Sequence, residues 1–161
     1  MTKVEIPRET EDLASAVVHA AYEVHRSLGP GLLEAAYQEC MAIELAHAGV
    51  PVSREQTLSL NYRGQVVPNV YRADLIVGER LLVELKAIEA VHAIHRVQVT
   101  TYLRILRLPL GLLINFNVPL IKDGITRVLN LDFRGEGQKG VVTPPSASGA
   151  KRPFASSRLC A

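Results

Sequence analysis

Two apolar runs separated by a short turn bring charged residues into a position that strand geometry strongly restricts. Asp74 lies near the end of the first run, and Glu84 and Lys86 lie within the second. Side chains alternate between the two faces of a strand, so Glu84 and Lys86 share one face. A carboxylate and an ammonium group on a central strand are costly to bury without partners. The pair is therefore either a structural ion pair or part of a functional site.

The length of the turn decides whether Asp74 joins this pair. If Gly78-Glu79-Arg80 forms a three-residue turn, Val77 pairs with Leu81 and Asp74 falls opposite Glu84. A two-residue turn would place the two carboxylates on opposite faces unless a bulge intervenes. We therefore predict an odd-length turn or a bulge. Directly opposed carboxylates repel each other, so this register favours a cation or a proton between them.

Two carboxylates and a lysine at this spacing suit phosphodiester hydrolysis. Oxygen ligands favour Mg²⁺ or Mn²⁺, and the predicted ligands are Asp74, Glu84 and the backbone carbonyl of Leu85. Such a metal polarises the phosphate and lowers the pKa of its bound water. Lys86 could orient the attacking water or stabilise charge in the transition state. The alternative is a solvated surface hairpin on which the Glu84–Lys86 pair has no chemical role.

Three further polar residues are candidates for the same site. Glu34 lies in the first turn of a predicted helix, three residues before Tyr37, although an acid at this position also fits a simple interaction with the helix dipole. Gln98 and Tyr102 are four residues apart on a later predicted helix, with His95 one turn earlier. These side chains could contact a phosphate backbone or support metal ligands. Taken alone, they fit ordinary polar helix positions.

Composition limits the class of protein. The chain has 161 residues and is 48% hydrophobic, which fits one globular domain. No apolar run approaches the roughly 18 residues that predict a membrane-spanning helix, and the first residues lack the apolar core of a signal peptide. We therefore expect a cytoplasmic protein without a membrane partner.

Charge is distributed unevenly along the chain. Residues 134–161 contain five Lys or Arg residues and one acid, whereas the rest contains 13 basic and 15 acidic residues. A body that is not basic overall gives no general electrostatic signal for nucleic-acid binding. A carboxylate-lined metal site would account for part of its negative charge.

Hydrophobic periodicity predicts an α+β sandwich with a mixed sheet and the element order α-α-β-β-β-α-β-β. Thr10 is the predicted cap of the first helix, which runs to Leu28. The other predicted elements are helices over about 32–48 and 92–107 and strands over about 56–62, 66–77, 81–88, 110–117 and 126–131. Residues 1–10 form a predicted N-terminal extension. Gly, Pro and Ser residues predict a flexible basic tail over 134–161.

Five segments in order resemble the GxxExxY family of small bacterial proteins, a branch of the PD-(D/E)XK nuclease superfamily. Residues 31–37 match the naming motif completely, with Gly31, Glu34 and Tyr37 at its defining positions. The other segments are Tyr71-Arg72-Ala73-Asp74-Leu75, Val83-Glu84-Leu85-Lys86-Ala87, Gln98-x-x-x-Tyr102-Leu103 and Leu112-Leu113-Ile114-Asn115-Phe116-Asn117. The resemblance covers roughly residues 11–131.

The resemblance implies a nuclease-like core of αβββαβ order with an extra N-terminal helix, which we place at residues 11–133. It assigns Glu34 as the helix-borne acid and a further metal ligand, Asp74 as the metal-binding aspartate, and Glu84 and Lys86 as the (D/E)xK pair. Gln98 and Tyr102 would match a Q-x-x-x-Y element of exonuclease-like branches. The implied activity is Mg²⁺- or Mn²⁺-dependent cleavage of DNA, or of RNA, by a homodimer or as part of a larger nucleic-acid-processing assembly.

Two other functions remain open from the sequence. A nuclease fold can serve as a non-catalytic nucleic-acid-binding or assembly module, which would form a stable complex with nucleic acid without cleaving it. The modest charge of the body also allows a hydrolase of small phosphoesters or nucleotides.

Overall fold

The computed structural model describes residues 4–135, in which helices cover both faces of a five-stranded mixed sheet. The helices in this part of the chain are α1 (Arg8–Leu28), α2 (Glu34–His47), α3 (Ala93–Leu106) and the single turn α4 (Ile121–Gly124). The strands are β1 (Val52–Tyr62), β2 (Gln65–Val77), β3 (Leu81–Lys86), β4 (Leu110–Asn115) and β5 (Ile125–Leu129). The predicted α+β class and the αβββαβ order after the first helix are confirmed. Most of the predicted tail, residues 136–161, lies outside the described residues.

The strands follow one another across the sheet in the order β1-β2-β3-β4-β5. Neighbours are antiparallel except β3 and β4, which are parallel and are connected by α3. Parallel neighbours need such a crossover because a short turn cannot reverse the chain twice. The turn between β2 and β3 pairs Val77 with Leu81, so the predicted three-residue turn is confirmed.

Two apolar cores lie on opposite faces of the sheet. One face packs against α1 and α2 through residues such as Val17, Tyr37 and Leu85. The other packs against α3 through residues such as Leu82 and Leu103. The central strand β3 is buried from Leu81 to Leu85, as expected for a strand covered on both faces. Within residues 4–135, each helix is too short or too polar to span a bilayer.

The predicted Thr10 cap is wrong. Helix α1 begins at Arg8, and the carbonyl of Pro7 accepts hydrogen bonds from the amides of Thr10 at 3.0 Å and Glu11 at 3.1 Å. The fixed φ of proline already suits the entry to a helix. Thr10 instead lies inside the helix with 1% of its surface exposed.

Other predicted element boundaries differ from the observed ones because of contacts in the folded protein. Strand β1 begins at Val52, earlier than predicted, because it pairs with β2 as far as Val77. Strand β3 ends at Lys86 rather than at Ile88. The turn α4 was not predicted. Its Gly124 lies so close to β4 that a Cβ atom would meet the carbonyl oxygen of Asn115 at 2.1 Å, so this approach requires glycine.

Candidate functional site

Asp74 lies at a local break in β2. Its position is missing from the β1 ladder, where Glu55 opposite it has a left-handed φ of 49°. The ladder with β3 also stops one position before Asp74, at the Leu75–Val83 pair. Irregular strand positions of this kind often lie beside functional sites because they redirect a side chain.

Side-chain bonds replace the missing ladder bonds around Asp74. Its backbone carbonyl accepts a hydrogen bond from Gln38 Nε2 at 3.2 Å, and its Oδ2 accepts one from the amide of Leu85 at 2.9 Å. The carboxylate is thereby held against the backbone of β3. Burial raises the pKa of Asp74 above its usual value, while the Leu85 amide and the charge of Lys86 oppose this rise.

The alternation of β2 changes face at Asp74. Ala73 packs into the α3 core, whereas Leu75, two residues later, packs into the core beneath α1 and α2. In a regular strand these two residues would lie on the same face. Strand β1 makes the same change, since Val52 packs on the α1–α2 side and Leu58 on the α3 side. Asp74 therefore lies where the hairpin rotates.

Glu84 lies on β3 on the α3 side of the sheet with 2% of its surface exposed. Its Oε1 accepts a hydrogen bond from Lys86 Nζ at 2.9 Å. Its Oε2 is buried and has no hydrogen-bond partner among residues 4–135. Burial and the nearby charge of Asp74 raise the pKa of Glu84 to about 7, against the opposing effect of Lys86. A buried oxygen without a partner is unusual in a folded protein.

Lys86 is the cation of the group. Burial works to lower its pKa, but the hydrogen bond and charge of Glu84, together with the charges of Glu34 and Asp74, raise the pKa above its usual value. Lys86 therefore keeps its proton at neutral pH. It acts here as a hydrogen-bond donor and a positive charge and not as a base.

Glu34 is the first residue of α2. Burial raises its pKa, the charge of Lys86 lowers it and the charge of Asp74 raises it. Glu34 therefore lies within electrostatic range of both residues. The charge of Asp74 raises the pKa of Glu84 more than the charge of Glu34 does.

Tyr37 fixes the loop that precedes Glu34. Its hydroxyl donates to the carbonyl of Gly29 at 2.6 Å and accepts from the amide of Leu32 at 3.2 Å. Its ring is fully buried and stacks on Phe116 with the centroids 4.3 Å apart. The tyrosine of the GxxExxY pattern thus connects the turn and the start of the helix.

We expect Tyr37→Phe to lower the free energy of unfolding by roughly 1–3 kcal/mol, because two hydrogen bonds are lost while the ring keeps its packing. Urea denaturation measures the change. Tyr22→Phe is the matched control, since Tyr22 is 44% exposed on α1. Equal stability of the Tyr37 and Tyr22 variants would contradict the proposed role of the hydroxyl.

Gln98 and Tyr102 lie together on α3, as predicted from their spacing. Gln98 Nε2 donates to the Tyr102 hydroxyl at 2.7 Å, and the Tyr102 ring lies 5.0 Å from that of Tyr71. Burial raises the pKa of Tyr102, the bond from Gln98 opposes this, and the charge of Glu84 adds to it. Tyr102 is therefore close enough to Glu84 for the charge of this acid to affect its pKa.

Two supporting residues were not identified from the sequence. Gln38 holds the backbone of Asp74, and its place four residues after Glu34 on α2 was the available signal. Asn115 is buried at the end of β4, where its side chain bonds both the amide and the carbonyl of Ile88. It anchors the chain that leaves Lys86. Nothing in the local sequence distinguishes Asn115 from an ordinary strand-end asparagine.

The acids around Asp74 and Glu84 can supply ligands to a divalent cation. Among residues 4–135, no three His, Cys, Asp or Glu side chains meet in a ready-made metal-binding group. Asp74 and Glu84 offer only oxygen ligands. Among the described residues, the buried Glu84 Oε2 has no hydrogen-bond partner and is available to a cation. Hard cations such as Mg²⁺ prefer one or two carboxylates and keep water or substrate oxygens as their other ligands. The residues fit such an ion.

Comparison with known proteins agrees with this geometry. A family model of the PD-(D/E)XK nuclease superfamily matches residues 11–128. No curated protein matches the chain, and no solved structure matches it. The matched span begins within α1, reaches into β5 and includes all the candidate residues from Glu34 to Tyr102. The chain belongs to the PD-(D/E)XK nuclease superfamily.

Proposed function

We propose that this protein is a divalent-metal-dependent nuclease of the GxxExxY branch, acting on DNA or RNA. The observation that carries the proposal is the buried Oε2 of Glu84, which has no hydrogen-bond partner in the described part of the chain and lies near the charges of Asp74 and Lys86. A fold that only needed stability would gain from an apolar residue at this position. Retaining an acid that is costly to ionise supports a chemical role.

Asp74, Glu84 and the carbonyl of Leu85 are the proposed ligands of Mg²⁺ or Mn²⁺, with Glu34 as a further acid. When bound, the ion supplies a polarised phosphate and a water of lowered pKa. The amide of Leu85 keeps Asp74 Oδ2 oriented. The Leu85 residue would thus serve the site through both its amide and its carbonyl.

Lys86 has a role that follows from its protonation. Its raised pKa keeps it charged at neutral pH, so it can donate a hydrogen bond to an attacking water or to a phosphate oxygen. A charged donor aimed at the oxygen that gains charge favours the transition state over the ground state. Gln98 and Tyr102 present an amide and a phenol on the same side of the sheet, where we propose that they contact the phosphate backbone.

A second function is a non-catalytic nucleic-acid-binding or assembly module. It is favoured by one observation, namely that residues 4–135 contain no ready-made group of three metal-ligating side chains. The two functions differ in a simple way. A binding module forms a stable complex in the presence of Mg²⁺ and leaves the nucleic acid intact.

A cleavage assay tests the proposal directly. Single-stranded DNA, duplex DNA, RNA and a chromogenic small phosphodiester are incubated with the protein and Mg²⁺ or Mn²⁺, with EDTA as the blank. We expect metal-dependent cleavage of a polynucleotide by the wild type and none by Glu84→Ala. Glu44→Ala, which changes an acid ten residues beyond Glu34 on the same helix, should cleave normally. Equal activity of Glu84→Ala and the wild type would refute the proposed site.

A further inference from the structure

The paired strands β1 and β2 extend well beyond the rest of the sheet. Strand β3 pairs with β2 only at residues 75–77, so residues 58–71 form a two-stranded projection, which we call the arm. An isolated two-stranded hairpin gains little stability from its own contacts. The arm nevertheless exposes large apolar side chains, since Leu60, Tyr62 and Val67 are 39%, 62% and 41% exposed.

These three side chains form one strip. Leu60 and Tyr62 follow Leu58 at two-residue intervals along β1, and Val67 pairs directly with Leu60. Leu58, at the base of the arm, is buried in the core beneath α3, and the register of β1 with β2 shifts between Leu58 and Leu60. An apolar strip on the exposed end of a hairpin indicates a surface that meets a partner.

The strip leads toward the candidate site. Tyr71 pairs with Leu58 across the arm, and its ring lies 5.0 Å from that of Tyr102. Tyr102 is bonded to Gln98 and is close enough to Glu84 for the acid to raise its pKa. Glu84 lies on the same face, between neighbours that point into the opposite core. The base of the arm therefore lies against the aromatic pair, and the pair lies close to the acid.

Charged residues are distributed unevenly between the arm and α3 on one hand and α1 and α2 on the other. Residues 56–73 and 90–107, which include the arm and α3, contain no Asp or Glu. They contain five arginines, namely Arg63, Arg72, Arg96, Arg104 and Arg107. Residues 8–47, which form α1 and α2, contain seven acids and two arginines. Ion pairs reduce both charges: Arg72 pairs with Glu55 and Arg104 with Asp132, while Glu9, Glu11 and Glu39 pair with Arg80, Arg127 and Arg54. With these pairs included, the arm and α3 still form a basic side and α1 and α2 an acidic side, so a polyanion would be attracted more to the basic side.

The end of the arm combines an aromatic side chain with a cation. Tyr62 is the most exposed member of the strip, and the guanidinium of Arg63 lies 5.8 Å from the centre of its ring. A regular duplex presents phosphates outward and would leave an apolar strip in water. Unpaired bases, by contrast, stack on aromatic side chains while arginines contact the backbone. The combination of strip and arginine therefore favours a single strand over a duplex.

We propose that the arm binds an unpaired segment of nucleic acid, with Tyr62 stacking on a base and Arg63 contacting a phosphate, and directs the strand along the α3 side toward Glu84 and Lys86. The destination of the strand rests on the proposed nuclease function. Binding by the arm is independent of cleavage and can be measured without it.

Fluorescence anisotropy in EDTA, which prevents turnover, tests the binding. The probes are a labelled single-stranded oligonucleotide of about 16 nucleotides and the duplex of the same sequence. We expect the wild type to bind the single strand more tightly, and Tyr62→Ala to weaken that binding about tenfold. Tyr62→Phe keeps the ring and should bind as the wild type does. Tyr22→Ala, an exposed tyrosine on the acidic side, is the matched control.

The salt dependence of binding separates the two roles. Arg63→Ala should reduce the slope of log affinity against log salt concentration by about 0.7, the value for one phosphate contact on a single strand. Tyr62→Ala should leave the slope unchanged, because stacking releases no counterion. Arg8→Ala removes one exposed charge from α1 and should change neither affinity nor slope. All variants retain residues 136–161, so any contribution from that segment is common to them.

Three results would overturn the proposal. Tyr62→Ala could bind as tightly as Tyr22→Ala, or the duplex could bind as tightly as the single strand. Sedimentation could also show a wild-type dimer that Tyr62→Ala converts to a monomer, which would make the strip an interface between two copies of the chain. Failure of the nuclease proposal looks different. In that case the wild type cleaves nothing while the arm variants still lose affinity for the single strand.

Discussion

Glu84→Gln is expected to abolish metal-dependent cleavage and at the same time to make the fold more stable at pH 8. The carboxylate is almost fully buried, has one unpartnered oxygen and lies near the charge of Asp74. Glutamine keeps the shape of the side chain and removes its charge. Its neutral amide oxygen is a weaker ligand for a hard cation than a carboxylate oxygen. Loss of activity with a gain of stability is the result that distinguishes a functional acid from a structural one.

The sign of the stability change depends on pH. The pKa of Glu84 is raised from 4.5 in the unfolded chain to about 7 in the fold. The folded state therefore binds the proton more tightly, and stability is lost as the pH rises from about 4.5 through 7. At about 1.4 kcal/mol per unit, the shift corresponds to roughly 3 kcal/mol above pH 7. We expect Glu84→Gln to recover about 1–3 kcal/mol of this at pH 8 and much less at pH 5.

Urea denaturation in EDTA at both pH values measures the change, because EDTA excludes any stabilisation by bound metal. Glu44→Gln, on α2, should change neither stability nor activity. A Glu84→Gln protein that is less stable than the wild type at pH 8 would contradict the stated cost of ionising this residue. A variant that still cleaves nucleic acid would contradict the assignment of Glu84 as a ligand.

Lys86→Met is expected to reduce the rate of cleavage by roughly 10²–10³-fold, the usual cost of removing one donor to a developing negative charge. It should also change the pH at which metal binds. The hydrogen bond and charge of Lys86 hold down the pKa of Glu84, so the acid stays protonated to higher pH without them. Protons then compete more strongly with the metal. Mn²⁺ binding should weaken at pH 7 and recover at pH 9.

Titration calorimetry with Mn²⁺ and single-turnover cleavage at the two pH values separate these effects. Metal binding should recover at pH 9, whereas the rate should not. Lys86→Arg keeps the charge and should retain metal binding at pH 7. Lys122→Met, which alters an exposed lysine of α4, is the matched control. If Lys86→Met failed to bind Mn²⁺ even at pH 9, the lysine would have a structural role in the site.

The central residues of the candidate site, Asp74, Glu84 and Lys86, could be predicted because their placement depends on strand alternation and turn length. Strand alternation places Glu84 and Lys86 together, and the three-residue turn sets a register that ends at the Leu75–Val83 pair, next to Asp74 and Glu84. The face change at Asp74 could not be predicted, because it depends on the left-handed backbone of Glu55, a residue type that gives no such signal. The bonds of Gln38 and Asn115 depend on tertiary contacts between segments distant in the chain. Local pattern does not reveal such contacts.

The two ends of α1 differ in the same way, since one could be predicted from the local sequence and the other could not. The stop of α1 at Gly29-Pro30 was correctly anticipated, since both residues interrupt a helix. The predicted start of α1 was wrong. The carbonyl of Pro7 accepts the first hydrogen bonds of the helix, and Thr10 lies buried inside it. The turn α4 lies close to β4 at Gly124, and this contact is a property of the assembled fold.

The turn between β2 and β3 also limits how this protein can change during evolution. Substitution of exposed turn residues such as Glu79 leaves the pairing of Val77 with Leu81 intact. Insertion or deletion of a single residue there would move Glu84 and Lys86 to the opposite face relative to Asp74. Changes of two residues would preserve their common face. Lineages that keep the site should therefore tolerate length changes in this turn only in even steps, whatever residues they place in it.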